Sequence, residues 1–398
     1  MVPTPERDEE SGAAVGFVLG TYLSFTETFL YQQMRSLSRY RPVVLCGRLA
    51  NEGRFPWSGP LYIAKHSPSR LLRALGPLHR FVRLDPGWGA AIAEQRIALL
   101  HGQFGTNGLV AAIYARRHRL PLVTSFYGGD VGYLLAPRQH LRDQWHYLLG
   151  KRTLFSASKL VLVLSEAMRA DLLQLGCPPE KIRIQRNGVD LERFRPRPSS
   201  ADERRPLQVV MCGREIDKKG FDYAFRAVRK ARDGGADLHV RWLTAPGPQG
   251  AALRALLREL SLEPHVDELD PSTDPAPVMA GADIILCASV TAANGDKEGV
   301  PTVLVEAAAC GLPAIATRHA GIPEIVSDGE TGLLFAERDV DGLAAGLTRL
   351  AGDASLRRRF GAAARRKVEG GWDASRLAVR LEQLYDEARD LAPRDATY

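Results

Sequence analysis

Short apolar runs alternate with amphipathic stretches along almost the whole chain. In the first half AAVGFVLG, RPVVLCG, IALLHG, PLVTSFYG, KLVLVLS and KIRIQRNG read as strands, with helical stretches between them at 27–37, 109–118 and 166–175. Continuous apolar runs of this length suit strands buried on both faces, and their alternation with helices is the pattern of βα units on a parallel sheet. After RFRPRPSSADERRP, a stretch rich in proline, serine and charge, the alternation restarts. PLQVVMCG, DLHVRWLT, ADIILCAS and GLPAIAT are the next strands; 221–232, 250–260 and 301–310 are helices, as are 354–367 and 374–388. The pattern predicts α/β architecture: two doubly wound domains at 1–190 and 207–370, a linker at 191–206, and a last segment, 371–398, packing back on the first domain. In open sheets of this kind ligands bind beyond the carboxyl ends of the strands, so two facing sheets make a cleft.

Composition narrows the classes. With 398 residues, 45% of them hydrophobic, the chain can bury two cores of ordinary size. The polar, acidic start MVPTPERDEESG is unlike a secretory signal and no apolar run reaches the roughly 18–20 residues that cross a bilayer, which predicts a cytoplasmic protein. Five scattered cysteines, without CxxC or Cys/His spacing, point to small core residues rather than disulfides or zinc. Charge is uneven: residues 1–190 carry 24 Lys and Arg against 14 Asp and Glu, the remainder 29 against 32. A basic half-chain can face nucleic acid or an anionic membrane surface or carry merely solvated arginines, and SPSRLLRALGPLHRF has the charge and apolar spacing of a bilayer-touching helix. Nucleic acid is not expected, because no recognition helix, RRM or zinc finger pattern is present.

The stretch DKEGVPTVLVEAAACGLPAIAT carries the sharpest chemical signal. Pro301 fits the first position of a helix that Gly311 and Pro313 end, and that helix is apolar nearly all round except for Thr302 and Glu306. A carboxylate so placed needs donors or a proton. A salt bridge to a neighbouring cation would serve; so would a ligand offering a pair of hydroxyls, such as a ribose diol. The EGVP turn before the helix favours the ligand, since free amides and the helix dipole there attract phosphate. Arg214 and Lys219, in GREIDKKG after the first strand of the second domain, are two cations suited to a diphosphate.

Together GREIDKKG, EGVPTVLVEAAACGLPAIAT, AGIPEIVSDGETGLLF and IQRNGVDLERF resemble the family-4 retaining glycosyltransferases of the GT-B fold, exopolysaccharide branch. The resemblance covers nearly the whole chain and is strongest over 182–335. It implies a hexosyltransferase that takes a UDP- or GDP-sugar and builds surface polysaccharide on a saccharide or lipid-linked acceptor, without a cofactor. It further implies that Arg214 and Lys219 hold the donor diphosphate, that Glu298 meets the sugar hydroxyls beside the Gly299, Val300 and Pro301 backbone and Thr302, and that Glu306 binds the ribose.

The first domain is similar more loosely. GTYLSFTETFL places Ser24, Thr26 and Glu27 near the cleft, with helix capping the plain alternative for Ser24 and Thr26; SFYGGDVG adds Gly128, Gly129 and Asp130 on the acceptor side. Many relatives carry histidine where this chain has Tyr127, and an ordinary tyrosine, with a pKa near 10, is no base at neutral pH. His101, at the end of the preceding strand, is the candidate imidazole, and His319 a weaker one. The departing phosphate can itself take the acceptor proton, leaving the protein to orient and to stabilise charge. Asp339-Val340-Asp341 is the one DxD sequence, and helix capping is its expected role rather than metal binding. Rival readings are a nucleotide-sugar epimerase of the same architecture, a phosphorylase, or a silent nucleotide-sugar-binding module.

Overall fold

A computed structural model describes residues 12–24, 26–64, 85–135, 145–196 and 206–390. The arginine-rich stretch at 67–81 and part of the expected linker lie outside them.

The first sheet has seven parallel strands: β1 (Ala13–Leu19), β2 (Tyr40–Cys46), β3 (Leu61–Ile63), β4 (Ile97–Gln103), β5 (Leu122–Ser125), β6 (Leu160–Val163) and β7 (Ile182–Ile184). Their order across the sheet is β3-β2-β1-β4-β5-β6-β7. The second sheet contains β8 (Leu207–Arg214), β9 (Leu238–Ala245), β10 (Val266–Leu269), β11 (Ile284–Cys287), β12 (Ala314–Thr317) and β13 (Gly332–Phe335) in the order β10-β9-β8-β11-β12-β13. Both orders reverse beside the first strand of their sheet, so each has a crevice at the carboxyl ends there. These are the two doubly wound domains that the alternating pattern predicts, in the GT-B arrangement that the resemblance implies.

The central strands are Val, Ile and Leu runs with no exposed position, such as Leu160–Val163 and Ile284–Cys287, because helices cover both faces. One core cluster continues under the cleft from first domain to second, with Phe126, Val131, Leu164 and Met168 meeting Val300, Leu304 and Ile322. The chain crosses between the domains twice, and the crossings are bonded: Val189 N–H donates to Trp372 O at 2.8 Å and Ala374 N–H to Val189 O at 3.0 Å.

The last helix, Ala374–Asp390, lies against the first sheet. Leu381, Leu384, Tyr385 and Ala388 enter its core, and the buried Glu382 carboxylate accepts from the backbone N–H of Ser38 and Arg39, both at 2.6 Å. Two backbone amides just past the C-cap of the helix Thr28–Ser36 are satisfied there by a residue more than 340 positions away. Among the described residues no helix is long and apolar enough to cross a membrane.

Candidate functional site

The crevices of the two sheets face each other across a cavity of about 510 Å³. From the second domain Arg214, Lys218, Lys219, Asp296, Glu298, Val300, Pro301, Thr302 and Glu306 line it; from the first come Ser24, Thr26, Glu27, Tyr127, Gly129 and Asp130. Of the donor- and acceptor-side residues singled out in the sequence, Gly128 and Gly299 do not line it, and neither candidate imidazole, His101 or His319, does.

The second-domain wall is a cluster of alternating charge. Lys219 Nζ lies 2.6 Å from Glu298 Oε1, and Lys218 Nζ lies 2.9 Å from Asp296 Oδ1 and 3.9 Å from Glu298 Oε2. Burial alone would push the Glu298 carboxyl up, but Lys219 and then Lys218 beside it hold it at about 2, so it is ionised. The Glu298 backbone N–H donates to His319 Nε2 at 3.0 Å, and His319 Nδ1 lies 2.7 Å from Glu337 Oε1. An amide can only donate, so Nε2 carries the lone pair and Nδ1 the proton; His319 is a neutral strut behind Glu298. Lys218 and Asp296 were not singled out in the sequence, since a Lys-Lys pair in a loop looks like solvated charge until the fold brings a carboxylate 78 residues away against it.

Glu306 stands apart from this cluster. Its helix runs Thr302–Ala309, with Pro301 just before the first turn, as N-cap rather than first residue, and Gly311 at φ +75° after its end. No described residue gives Glu306 a hydrogen bond or an ion pair, and burial raises its carboxyl to about 7. Arg193 and Asp274 act on it in opposite directions and are themselves paired at 2.7 Å. A carboxylate on the cleft wall, with no protein donor, is the free hydrogen-bond acceptor that the sequence called for. The Arg214 side chain, at the exposed end of β8, likewise makes no hydrogen bond or ion pair with a described residue.

The first-domain wall is built differently. Asp130 accepts from the backbone N–H groups of Tyr127, Gly128 and Gly105, each at 3.0 Å, so its carboxylate braces two loops at the cavity wall. Tyr127 Oη donates to Gln103 Oε1 at 2.5 Å, and burial pushes its pKa far up. Ser24 and Thr26 are exposed on the rim, and the Ser24 N–H donates to Glu27 Oε2 at 2.8 Å. Glu27, not Ser24 or Thr26, holds the cap position of the helix that follows. Phe104 takes φ 68° and ψ 145°, a region that costs a non-glycine residue about 1–3 kcal/mol.

His101 must be corrected. It is fully buried, with Nδ1 2.7 Å from Tyr385 Oη and Nε2 2.7 Å from Ser125 Oγ, and burial lowers its pKa to about 3. It pins the last helix to the first sheet and has no path to the cleft. Gly128 and Gly299 mark the seam between domains: a Cβ on Gly128 would stand 2.5 Å from Gly299 N, and one on Gly299 would meet Tyr127 O at 2.8 Å. Asp339 caps a helix, accepting from Gly342 N at 2.8 Å, and among the described residues no group of three or more His, Cys, Asp or Glu could hold a metal ion.

Residues 26–193 match the family described as Glycosyltransferase Family 4, and residues 206–353 the family described as Glycosyl transferases group 1. A protein of Escherichia coli named for colanic acid biosynthesis glycosyltransferase is 34% identical over 277 residues, 69% of this chain and 66% of its own length. The chain thus spans just under two thirds of that relative. The GDP-mannose-dependent alpha-(1-6)-phosphatidylinositol monomannoside mannosyltransferase of Mycobacterium tuberculosis is 31% identical over 289 residues, 68% of this chain and 71% of that one. Among solved structures, Anabaena HepE, crystallised with UDP and glucose, superposes with a TM-score of 0.76 over 94% of this chain and 100% of that one, at 18% identity.

Proposed function

The chain belongs to the family-4, group 1 glycosyltransferases, and from that membership we propose that it moves a sugar from a nucleoside diphosphate donor onto a saccharide of a surface polysaccharide, free or lipid-linked, with retention at the anomeric carbon. The observation that carries the donor half is Glu306, a cleft carboxylate without a protein donor, one helix away from the Lys219–Glu298 pair. Ribose hydroxyls donate to Glu306. The diphosphate lies toward Arg214, Lys219 and the free amides that open the Thr302–Ala309 helix. Glu298, ionised and held by Lys219, accepts from the sugar hydroxyls. The relative's own names support the substrate classes: one protein is named for colanic acid biosynthesis, another for GDP-mannose as donor.

In the transfer step the bond from the anomeric carbon to the diphosphate oxygen breaks while an acceptor hydroxyl oxygen bonds to the same face of that carbon. The proton leaving the acceptor passes to the departing phosphate oxygen. No imidazole is needed, which suits a loop whose Tyr127 hydroxyl is already committed to Gln103. Arg214 and Lys219 stabilise the negative charge that grows on the leaving diphosphate.

The acceptor half of the reading places the first domain at an anionic membrane face. Its excess of cations and the helix Trp145–Ala157, where Leu149 is 70% exposed beside the exposed Arg152, support this. Co-sedimentation with phosphatidylglycerol vesicles at low salt is expected; equal recovery in the supernatant with and without vesicles removes the membrane from the proposal.

Thermal shift and calorimetry with UDP, GDP and ADP test the donor half. At least one nucleotide must bind wild type, and Glu306→Ala must lose it while keeping its fold. Slow hydrolysis of the matching nucleotide sugar separates an enzyme from a silent binding module.

A further inference from the structure

The first-domain wall of the cleft is aromatic at its centre and polar around it. Phe29, Phe104 and Tyr127 all line the cavity and are all half-buried, and the Tyr127 ring centroid lies 4.8 Å from each of the other two. Ser24, Thr26, Thr106 and Asn107 line the same cavity. Beneath lie two buried polar atoms without a hydrogen-bond partner, Gln103 Nε2 and Tyr147 Oη.

Phe104 is the informative member. Its φ of 68° and ψ of 145° suit glycine, which would hold that turn without steric cost. A phenylalanine held there, with its ring on the cleft, has a use for the ring, because the backbone alone would be better served by glycine.

We propose that this face is an acceptor subsite that stacks the apolar side of a pyranose ring. A pyranose presents C–H bonds on a face and hydroxyls on its edges, and the aromatic floor with its hydroxyl and amide rim is the complement of both. A purely apolar ligand would leave the rim unmatched. The Tyr127 hydroxyl, fixed by Gln103, keeps the middle ring from turning its polar end into the stack. The inference deepens the transferase reading and rests on it for the word acceptor; the stacking surface itself stands on the geometry.

Saturation-transfer NMR on the full chain tests it, with methyl β-D-glucopyranoside, methyl β-D-galactopyranoside and methyl α-D-mannopyranoside as millimolar probes, each with and without saturating UDP. Transfer should concentrate on the C–H protons of one ring face of at least one probe. Phe104→Gly should weaken that signal roughly tenfold, as loss of an aromatic face implies, while melting at an unchanged or higher temperature and binding UDP as wild type does. Phe29→Leu, at a helical position that accepts leucine, should weaken it in the same direction should the glycine variant fail to fold. Absence of transfer to every probe in wild type, or undiminished transfer in both variants, overturns the subsite. Loss of UDP binding in Phe104→Gly also overturns it, assigning the rings to the nucleotide. A chain that binds glycosides but neither UDP nor GDP keeps the subsite and sinks the donor reading instead.

Discussion

Lys219 Nζ and Glu298 Oε1 are 2.6 Å apart on the second-domain wall of the cleft, and each is what keeps the other charged. Burial lowers the lysine and raises the glutamate, but their mutual attraction reverses both tendencies, so Lys219 ends above its ordinary value and Glu298 at about 2. Glu298→Gln removes the proposed acceptor of sugar hydroxyls and leaves the cations. It should lower kcat by roughly 10²-fold with the nucleotide Kd little changed. Lys219→Met instead strands a buried carboxylate, with Lys218 3.9 Å away and the Ser289 hydroxyl 3.4 Å away as its remaining side-chain partners. It should destabilise the protein toward the lower end of ~3–5 kcal/mol and weaken nucleotide binding as well. Urea unfolding and UDP or GDP titration on the two variants read these separately; identical profiles would contradict the division of roles.

Glu306 gives a pH signature near neutrality. Its carboxyl is raised to about 7 from an ordinary 4.5, so the native protein holds this proton more tightly than the unfolded chain does. The stability it confers is full below pH 4.5 and is lost as pH rises through 7. Glu306→Gln, permanently neutral, should therefore be more stable than wild type at pH 8 by roughly 1–2 kcal/mol, allowing for the carboxylate's exposure to the cleft. In the proposed reading ribose hydroxyls donate to the ionised form, so nucleotide affinity should rise by up to about tenfold per pH unit below 7 and level off above it. Calorimetry from pH 5.5 to 8.5 with UDP or GDP checks the slope, and the Gln variant should show none of it.

What was legible in the sequence follows from where the information sits. Runs such as KLVLVLS announce a strand because both faces are buried, and β6 lies inside that run. β10, Val-Asp-Glu-Leu, gives no such signal: it is an edge strand with Asp267 and Glu268 exposed. β3 is an edge strand of three residues, half-exposed. For the cleft, Arg214, Lys219, Glu298 and Glu306, picked out by their motifs and the resemblance, line one wall, because each lies at the carboxyl end of a strand, in the loop after it or on the helix that follows. His101 misled for the same reason. It also sits at a strand end, but Tyr385, 284 positions later, closes over it, and no local pattern encodes that. The conformation of Phe104 was equally out of reach, since a backbone dihedral is set by what surrounds the turn.

The correction at His101 is itself testable. Burial lowers its pKa to about 3 from an ordinary 6.5, so the unfolded chain binds this proton more readily than the native one. The stability it contributes is present above pH 6.5 and is lost as pH falls toward 3, at about 1.4 kcal/mol per unit. His101→Gln cannot titrate, so its urea midpoint should fall less between pH 7 and pH 5 than that of wild type. Nucleotide affinity at pH 7 should not change. A variant that folds as wild type but loses turnover at every pH would return His101 to the catalytic group.

Gly128 tests how the two walls are kept at working distance. Its φ is +125°, and a Cβ there would meet Gly299 N at 2.5 Å, Lys297 O at 2.7 Å and Glu298 C at 2.8 Å, all backbone of the opposite domain. Four residues along, a Cβ on Gly132 would stand 2.1 Å from Gly295 O. Backbone cannot rotate aside as a side chain can, so a methyl at either position has to separate the domains or distort the loop that carries Glu298. Gly128→Ala adds backbone strain to this contact and should lose more than ~1–3 kcal/mol. Gly132→Ala, at a helical φ that alanine accepts, isolates the steric effect. It should keep each domain folded while widening the cleft, seen as a larger radius of gyration in small-angle scattering. Nucleotide, whose proposed site lies mainly on the second domain, should then lose less affinity than turnover loses rate. A Gly132→Ala protein with wild-type scattering and wild-type kcat would mean that the seam yields without moving the walls.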